Sequence, residues 1–263
     1  MRVAVIQLAY DDVEPKSERI ARAADLVRAQ AGHDLVMLPE LWGPTGFGYT
    51  RWEAEAETVD GPTVTAVAAA ARDIGAMVHA GSIVERLAQP GEDGRELANT
   101  SVVLSAGGEV VATYRKIHRF GFGAGEPKLM EAGGELAFVD LPGGARGALS
   151  TCYDLRFPEL YRRQLEGGAQ VFLVPAAWPM PRVEHWSLLG RARAIENQCV
   201  LIACNTAGTH ARTEMGGASQ VVSPRGEVLG EADAGELVLS VDVDLAEIAE
   251  YRAAFPVLDD RRL

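Results

Sequence analysis

An α/β fold is predicted for this 263-residue chain by three observations: short β-branched runs alternate with longer segments of helical apolar spacing, several runs are apolar almost throughout, and three of the four long helical segments open on a proline. A strand that is apolar on both faces belongs in a sheet covered on both sides. A proline at the first helical position costs little, because the N–H it lacks has no intrahelical partner there.

The elements follow in order. Residues 3–9 read as the first strand; the run stops at Tyr10-Asp11-Asp12 with no cleavage-site region behind it, so a strand is expected and not a leader peptide. Residues 15–31 read as a helix, and Asp34-Leu35-Val36-Met37-Leu38 as a strand buried on both faces. A helix over Pro62–Ile74 precedes a strand over 77–84. Residues 98–105 and 110–116 read as antiparallel strands joined by the turn Ser105-Ala106-Gly107-Gly108. Strands are also expected at 148–152, Val171–Pro175, Val200–Cys204, 218–223 and 236–243, and helices at Pro158–Glu166 and Val183–Asn197. The total is about ten strands and four long helices, in a mixed sheet or a pair of sheets. Length alone suggests about 1.75 domains at roughly 150 residues each. The Pro/Gly clusters at 89–94 and 142–144 are of hairpin length and too short for linkers, and no repeat of fixed period is seen, so residues 1–263 are expected to be a single domain.

Composition narrows the function classes. With 25 Lys plus Arg against 37 Asp plus Glu, the formal net charge of −12 is the wrong sign for a nucleic-acid or anionic-membrane binder, so neither partner is expected. No run approaches the ~18 apolar residues of a membrane-spanning helix. Three cysteines, Cys152, Cys199 and Cys204, are too few for a disulfide framework, which fits a reducing cytoplasm. The five histidines, His33, His79, His118, His185 and His210, lack metal-ligand spacing, and 121–125 lacks the Lys-Ser/Thr of a phosphate loop, so no metal and no cofactor is expected.

Ligands in α/β proteins gather beyond the carboxyl ends of strands, and three segments place reactive side chains there. In Leu35-Val36-Met37-Leu38-Pro39-Glu40-Leu41-Trp42 a carboxylate follows an apolar strand; poor solvation would raise its pKa toward the range of a general base. A surface glutamate capping a strand is the plainer reading of that segment alone. In Thr113-Tyr114-Arg115-Lys116-Ile117-His118-Arg119-Phe120, Tyr114, Lys116 and His118 share one face, so Lys116 could enter a crevice and stabilise an oxyanion. The same basic cluster could be a solvated edge that blocks aggregation. In Ser150-Thr151-Cys152-Tyr153-Asp154-Leu155-Arg156-Phe157-Pro158 a strand runs through a tight turn into a helix, which would leave Cys152 exposed as in a nucleophile elbow. Cys199 and Cys204 bracket an apolar run and read as core.

Together, Glu40 in MLPELW, Lys116 in YRKIH and Cys152 in TCYDLRFPELYR resemble the three signature blocks of the nitrilase superfamily of carbon–nitrogen hydrolases, and most resemble its omega-amidase-like branch. Ala176-Ala177-Trp178, the helix from His185 to Asn197, and the segment from Gly217 to Glu227 resemble further blocks in order, so the likeness runs from Val3 to about Pro256. Ala218 departs from the histidine of many relatives, which bears on substrate contacts and not on the core chemistry.

The resemblance implies a four-layer α-β-β-α sandwich, and a Glu-Lys-Cys triad that cleaves a small carboxamide through a cysteine thioester. Glu40 would be the base, Cys152 the nucleophile, and Lys116 with the Tyr153 backbone N–H the oxyanion donors. The family's second glutamate, which holds the lysine and the water, is matched to Glu126, with Glu131 as runner-up. The resemblance also implies a homodimer or higher homo-oligomer paired through the helix Val183–Asn197, whose Trp186, Leu189 and Ala192 could equally be core. Nitrile, N-carbamoyl amino acid or acyl-transfer chemistry on the same triad, and a non-catalytic binding module, are the alternatives. A cysteine-protease reading with His118 as base lacks that class's flanking signatures. Arg119, Arg156 and Arg182 could clamp a substrate carboxylate or pair with Asp154 and Glu159.

Overall fold

The computed structural model describes residues 1–262. The chain runs β1 (Arg2–Gln7), α1 (Lys16–Arg28), β2 (Leu35–Met37), a one-turn α2 (Trp52–Glu55), α3 (Pro62–Ile74), β3 (Met77–Arg86), β4 (Leu97–Leu104) and β5 (Val110–Arg115). It continues through a one-turn α4 (Glu126–Leu129), β6 (Phe138–Asp140), β7 (Arg146–Leu149), a 3-10 turn (Cys152–Arg156), α5 (Pro158–Glu166), β8 (Val171–Pro175), α6 (Val183–Asn197) and β9 (Val200–Cys204). A small hairpin, β10 (Thr209–His210) and β11 (Thr213–Glu214), precedes β12 (Gln220–Val222), β13 (Val228–Glu231), β14 (Leu237–Asp242) and α7 (Ala246–Ala254).

Two six-stranded sheets result, ordered β14-β1-β2-β3-β4-β5 and β13-β12-β9-β8-β7-β6. In each, three consecutive strands are parallel and the rest antiparallel. The same pattern occurs in both sheets, a duplication with no visible trace in the sequence.

Strand alternation sorts the side chains into layers. Val3 and Val5 of β1 meet Val171 and Leu173 of β8 between the sheets. Ala4 and Ile6 face Ile20, Ala23 and Val27 of α1 and Val64 and Val67 of α3. On the far side, Phe172 and Val174 face Leu160 of α5 and Trp186 and Ala194 of α6. The order is therefore helices, sheet, sheet, helices, the predicted α-β-β-α sandwich.

Several local expectations are corrected. The strand expected at 148–152 ends at Leu149, and Cys152 opens the 3-10 turn, buried and not exposed at the sheet edge. Ser150 is held instead by the Leu173 carbonyl (3.1 Å). The strand expected at 218–223 shrinks to Gln220–Val222 because Ala218 takes a φ of 53°, outside strand geometry. Pro15 sits at the N-cap of α1, whereas Pro62 and Pro158 open α3 and α5 as expected. Trp186 is core against Trp178 and the Ala218 carbonyl, so it is not on a pairing surface; the outward apolar residues of α6 are Leu188 and Ile195. The strands β6 and β13, the β10–β11 hairpin and α7 were not anticipated.

Candidate active site

Glu40 follows β2 by three residues, and its turn is anchored on both sides. The Leu41 N–H donates to Ser82 Oγ (3.1 Å) and the Trp42 indole N–H to the Ala80 carbonyl (2.9 Å). β3 comes this close because residue 81 is glycine: a Cβ there would lie 1.8 Å from the Pro39 carbonyl oxygen. Lys116 lies one residue beyond β5, with its N–H on the Asn99 carbonyl (2.9 Å) and its own carbonyl accepting from Gly133 (2.9 Å). Glu126 opens α4 after a glycine-rich loop; its carboxylate accepts from the Phe120 N–H. Cys152 has a φ of 47°, the strained turn that the elbow reading anticipated.

These four side chains converge at the inner end of one pocket, with Glu40 3% exposed, Lys116 2%, Glu126 3% and Cys152 8%. The Lys116 ammonium donates to Glu40 Oε1 (2.7 Å) and Glu126 Oε1 (3.0 Å). The other Glu40 oxygen, Oε2, accepts from the Ala177 N–H (2.8 Å). Cys152 lines the same pocket as Glu40, Lys116 and Ala177. Tyr153 occupies the first turn of the 3-10 segment, where backbone N–H groups lack intrahelical acceptors. The runner-up Glu131 is elsewhere: its carboxylate accepts from the N–H groups of Asp93 (2.9 Å) and Arg95 (3.2 Å), tying down the β3–β4 connection.

The electrostatics follow from burial and from two carboxylates flanking one cation. Burial pushes the Cys152 thiol well above its ordinary value and Glu40 pushes it further, against a lowering by Lys116, so the thiol form is the resting state. For Lys116, burial favours the neutral amine but Glu126 and Glu40 outweigh it and hold the ammonium charged. Burial, with the neighbouring Glu40, raises the pKa of Glu126, while Lys116 lowers it.

The pocket wall is aromatic, with Phe47, Tyr49, Trp52, Phe120, Tyr153 and Trp178. Two guanidiniums face it. Arg156 stacks on Trp178 (4.6 Å) and Arg182 lies over Phe120 (5.8 Å); neither has a carboxylate partner among the described residues. Asp154 is unavailable to Arg156, because its carboxylate accepts from the Tyr114 hydroxyl (2.7 Å) and the His118 and Thr151 N–H groups (both 2.9 Å). Arg119 pairs with Asp93 (2.9 Å) outside the pocket. Among the described residues no group of three or more His, Cys, Asp or Glu side chains could hold a metal ion, and no helix is long and apolar enough to cross a membrane.

Sequence reading missed Asn99, the Ala177 N–H and the Asp154 clamp. Asn99 carries no local signal that separates it from Thr100 and Ser101, the other polar residues of the buried strand Leu97–Leu104.

An α-β-β-α sandwich with a thiol, two carboxylates and a buried ammonium gathered in one pocket is the frame of a hydrolase. Residues 2–253 match the carbon-nitrogen hydrolase family model, and the chain belongs to that family. It is 44% identical over 263 residues to a 2-oxoglutaramate amidase of Paenarthrobacter nicotinovorans, covering 99% of this chain and 89% of that one. Against the omega-amidase of Mus musculus it is 33% identical over 271 residues, covering 99% and 95%. The fold superposes with a TM-score of 0.89 on a CN-hydrolase superfamily protein of Xanthomonas campestris that carries an arsenic adduct in its active site. That pair is 31% identical and covers 100% of this chain and 97% of the other.

Proposed function

We propose that the chain hydrolyses the terminal amide of a small carboxamide that also carries a carboxylate, of the 2-oxo dicarboxylic acid monoamide class, to the acid and ammonia. The observation that carries this reading is the Glu40–Lys116–Glu126 hydrogen-bonded group set against Cys152 at the inner end of the pocket. Arg156 and Arg182, without carboxylate partners among the described residues, supply charge for a substrate carboxylate, and the relatives named as 2-oxoglutaramate amidases support the same class.

Cys152 Sγ attacks the amide carbon while Glu40 takes the thiol proton, so a thiolate never has to persist beside the Glu40 carboxylate. Lys116 and the Tyr153 N–H receive the oxyanion, each such donor contributing about 3 kcal/mol. The tetrahedral adduct collapses to a thioester as Glu40 returns the proton to departing ammonia. Water then attacks the thioester, oriented by Glu126 and deprotonated by Glu40; the C–S bond breaks, the acid leaves and the proton returns to sulfur.

An ammonia-release screen over 2-oxo dicarboxylic monoamides, N-carbamoyl amino acids, aliphatic amides and nitriles tests the reading. Wild type is expected to prefer the first class, Cys152→Ala to release none, and Arg156→Gln and Arg182→Gln to raise KM for carboxylate-bearing amides more than for neutral ones. Preference for nitriles or N-carbamoyl amino acids would reassign the substrate, and turnover by Cys152→Ala would overturn the mechanism.

The free cysteine nucleophile suits a reducing cytoplasm. One core cluster joins Val3 of β1, Val171 of β8, Val241 of β14 and Ile248 of α7, which supports a single domain over the whole chain. We also infer a homodimer built on α6, supported by Leu188 and Ile195, exposed at 67% and 47% and seven residues apart on one helical face. Size-exclusion chromatography with light scattering should show a dimer that Leu188→Glu weakens; a monomeric wild type would refute the pairing.

A further inference from the structure

Asn99 stands where no acid–base or nucleophilic role requires a residue, yet it touches both glutamates. Its Nδ2 donates to Glu40 Oε1 (2.8 Å) and to Glu126 Oε1 (2.7 Å), the same two oxygens that Lys116 bridges at 2.7 and 3.0 Å. Two carboxylate oxygens and two nitrogens thus close a four-membered ring of hydrogen bonds, one nitrogen charged and one neutral. Both N–H bonds of the amide are spent, and its Oδ1 is buried without a partner. That unpaired oxygen costs stability, so the side chain is placed for its donors. Its backbone adds a further tie, since the Asn99 carbonyl accepts the Lys116 N–H (2.9 Å).

We propose that Asn99 is a positioning residue for the hydrolytic reaction: it holds the two carboxylates in register around Lys116 and keeps Glu40 ionised as the base, with Oε2 left to serve Cys152. This rests on Glu40 being the base. The physical argument is one of charge. Two buried carboxylates and one ammonium leave an excess negative charge, and a second cation at position 99 would stabilise the carboxylates but remove the basicity that Glu40 needs. A neutral double donor stabilises the ionised forms by hydrogen bonding without neutralising them. The other ionisable groups facing the glutamates are Cys152, Tyr49 and Tyr10. The thiol and both phenols are held protonated by burial, and the backbone N–H groups of Ala177 and Phe120 each serve one glutamate alone, so Asn99 and Lys116 are the groups that act on both carboxylates at once.

The test uses the rate at which iodoacetamide alkylates Cys152 as a function of pH, which needs no substrate, together with ammonia release and thermal melting. In wild type the acid limb of the alkylation profile reports loss of the base. Asn99→Leu removes a hydrogen bond to a charged group, so the limb should move up by about one pH unit, with roughly tenfold slower alkylation below it. The near-isosteric Asn99→Asp adds a carboxylate in place of the donor. It should alkylate more than tenfold slower at neutral pH and recover as the pH falls, because a protonated carboxyl can donate again. Profiles that keep the wild-type limb in both variants would overturn the proposal, whatever happens to the melting temperature. If the limb shifts as expected but wild type releases no ammonia from any amide, the amidase reading fails and the positioning role of Asn99 stands.

Discussion

Replacing Asp154 by asparagine should damage stability and the nucleophile together. The Asp154 carboxylate is fully buried and accepts four contacts: Tyr114 Oη (2.7 Å) and the Thr151 N–H (2.9 Å) on Oδ2, and the His118 N–H (2.9 Å) and Nδ1 (2.7 Å) on Oδ1, with the ring donating in its Nδ1–H tautomer. The donors come from two places, the chain around Lys116 and the residue just before Cys152. An asparagine has the same shape but turns one oxygen into a donor. Tyr114 or the His118 ring can reverse its role, whereas a backbone N–H cannot, so either Thr151 or His118 is left with a buried, unpaired donor. One such group costs about 1–3 kcal/mol, and the loss of charge assistance to the rest brings the total to roughly 2–4 kcal/mol. At about 2–4 °C per kcal/mol for a chain of this size, the melting temperature should fall by about 5–15 °C. Thermal denaturation reads the stability term, and alkylation of Cys152 by iodoacetamide reads the elbow, which should react more slowly. A variant that melts within about a degree of wild type and alkylates at the same rate would refute the clamp.

Lys116→Met leaves two buried carboxylates without their cation, which should cost about 3–5 kcal/mol of stability and lower ammonia release by about 10²–10³-fold; activity within tenfold of wild type would contradict the oxyanion role. Burial pushes the pKa of His79 down to about 3 and of His210 down to about 4. Unfolded imidazoles protonate near ~6.5, so below that pH the unfolded state binds more protons, and stability should fall by about 1.4 kcal/mol per pH unit per histidine until about pH 4. Melts between pH 7 and 4.5 should show the decline, which His210→Phe lessens; a flat profile would argue against buried neutral imidazoles. Cys199 and Cys204 are closed off from solvent, whereas Cys152 lines the pocket beside Glu40, so brief iodoacetamide treatment of the native protein should label Cys152 alone by mass spectrometry. Equal labelling of all three would remove the case for an activated nucleophile.

How much of this was legible in the sequence differs by element. The parallel strands of both sheets could be read because burial on both faces leaves unbroken apolar runs such as Val171–Pro175 and Val200–Cys204. The edge strand β13, Val228-Leu229-Gly230-Glu231, shows no such run, since it is largely exposed and carries a glycine. Glu40, Lys116 and Cys152 were found because each follows a recognisable strand. Glu126 needed family context, since a four-residue helix after a glycine loop has no periodicity to announce it. Asn99, the Ala177 N–H and the Asp154 clamp act through contacts between residues as much as 137 positions apart, and no local pattern encodes such a pairing. The burial of Cys152 escaped for the same reason: the cluster it packs in, with Phe172, Val174, Ala176 and Trp178, is brought together from later segments of the chain.

The charges at the site explain why Cys152 rests as a thiol. Glu40, Glu126 and Lys116 together already bring one excess negative charge into a buried place, and a free thiolate would bring a second close to a carboxylate, which burial makes costly. In the mechanism proposed above, proton transfer to Glu40 during attack would avoid that state: one negative charge would move from the carboxylate through sulfur to the substrate oxygen, and the total would never increase. The charge would arrive beside the Lys116 ammonium, which is already in place and already desolvated, so little reorganisation would be needed as the barrier is crossed. The cation is fixed there by the Asn99 carbonyl and the Gly133 N–H at its backbone and by two carboxylates at its tip. The same two carboxylates that make the lysine costly to remove therefore make the cysteine hard to ionise in advance.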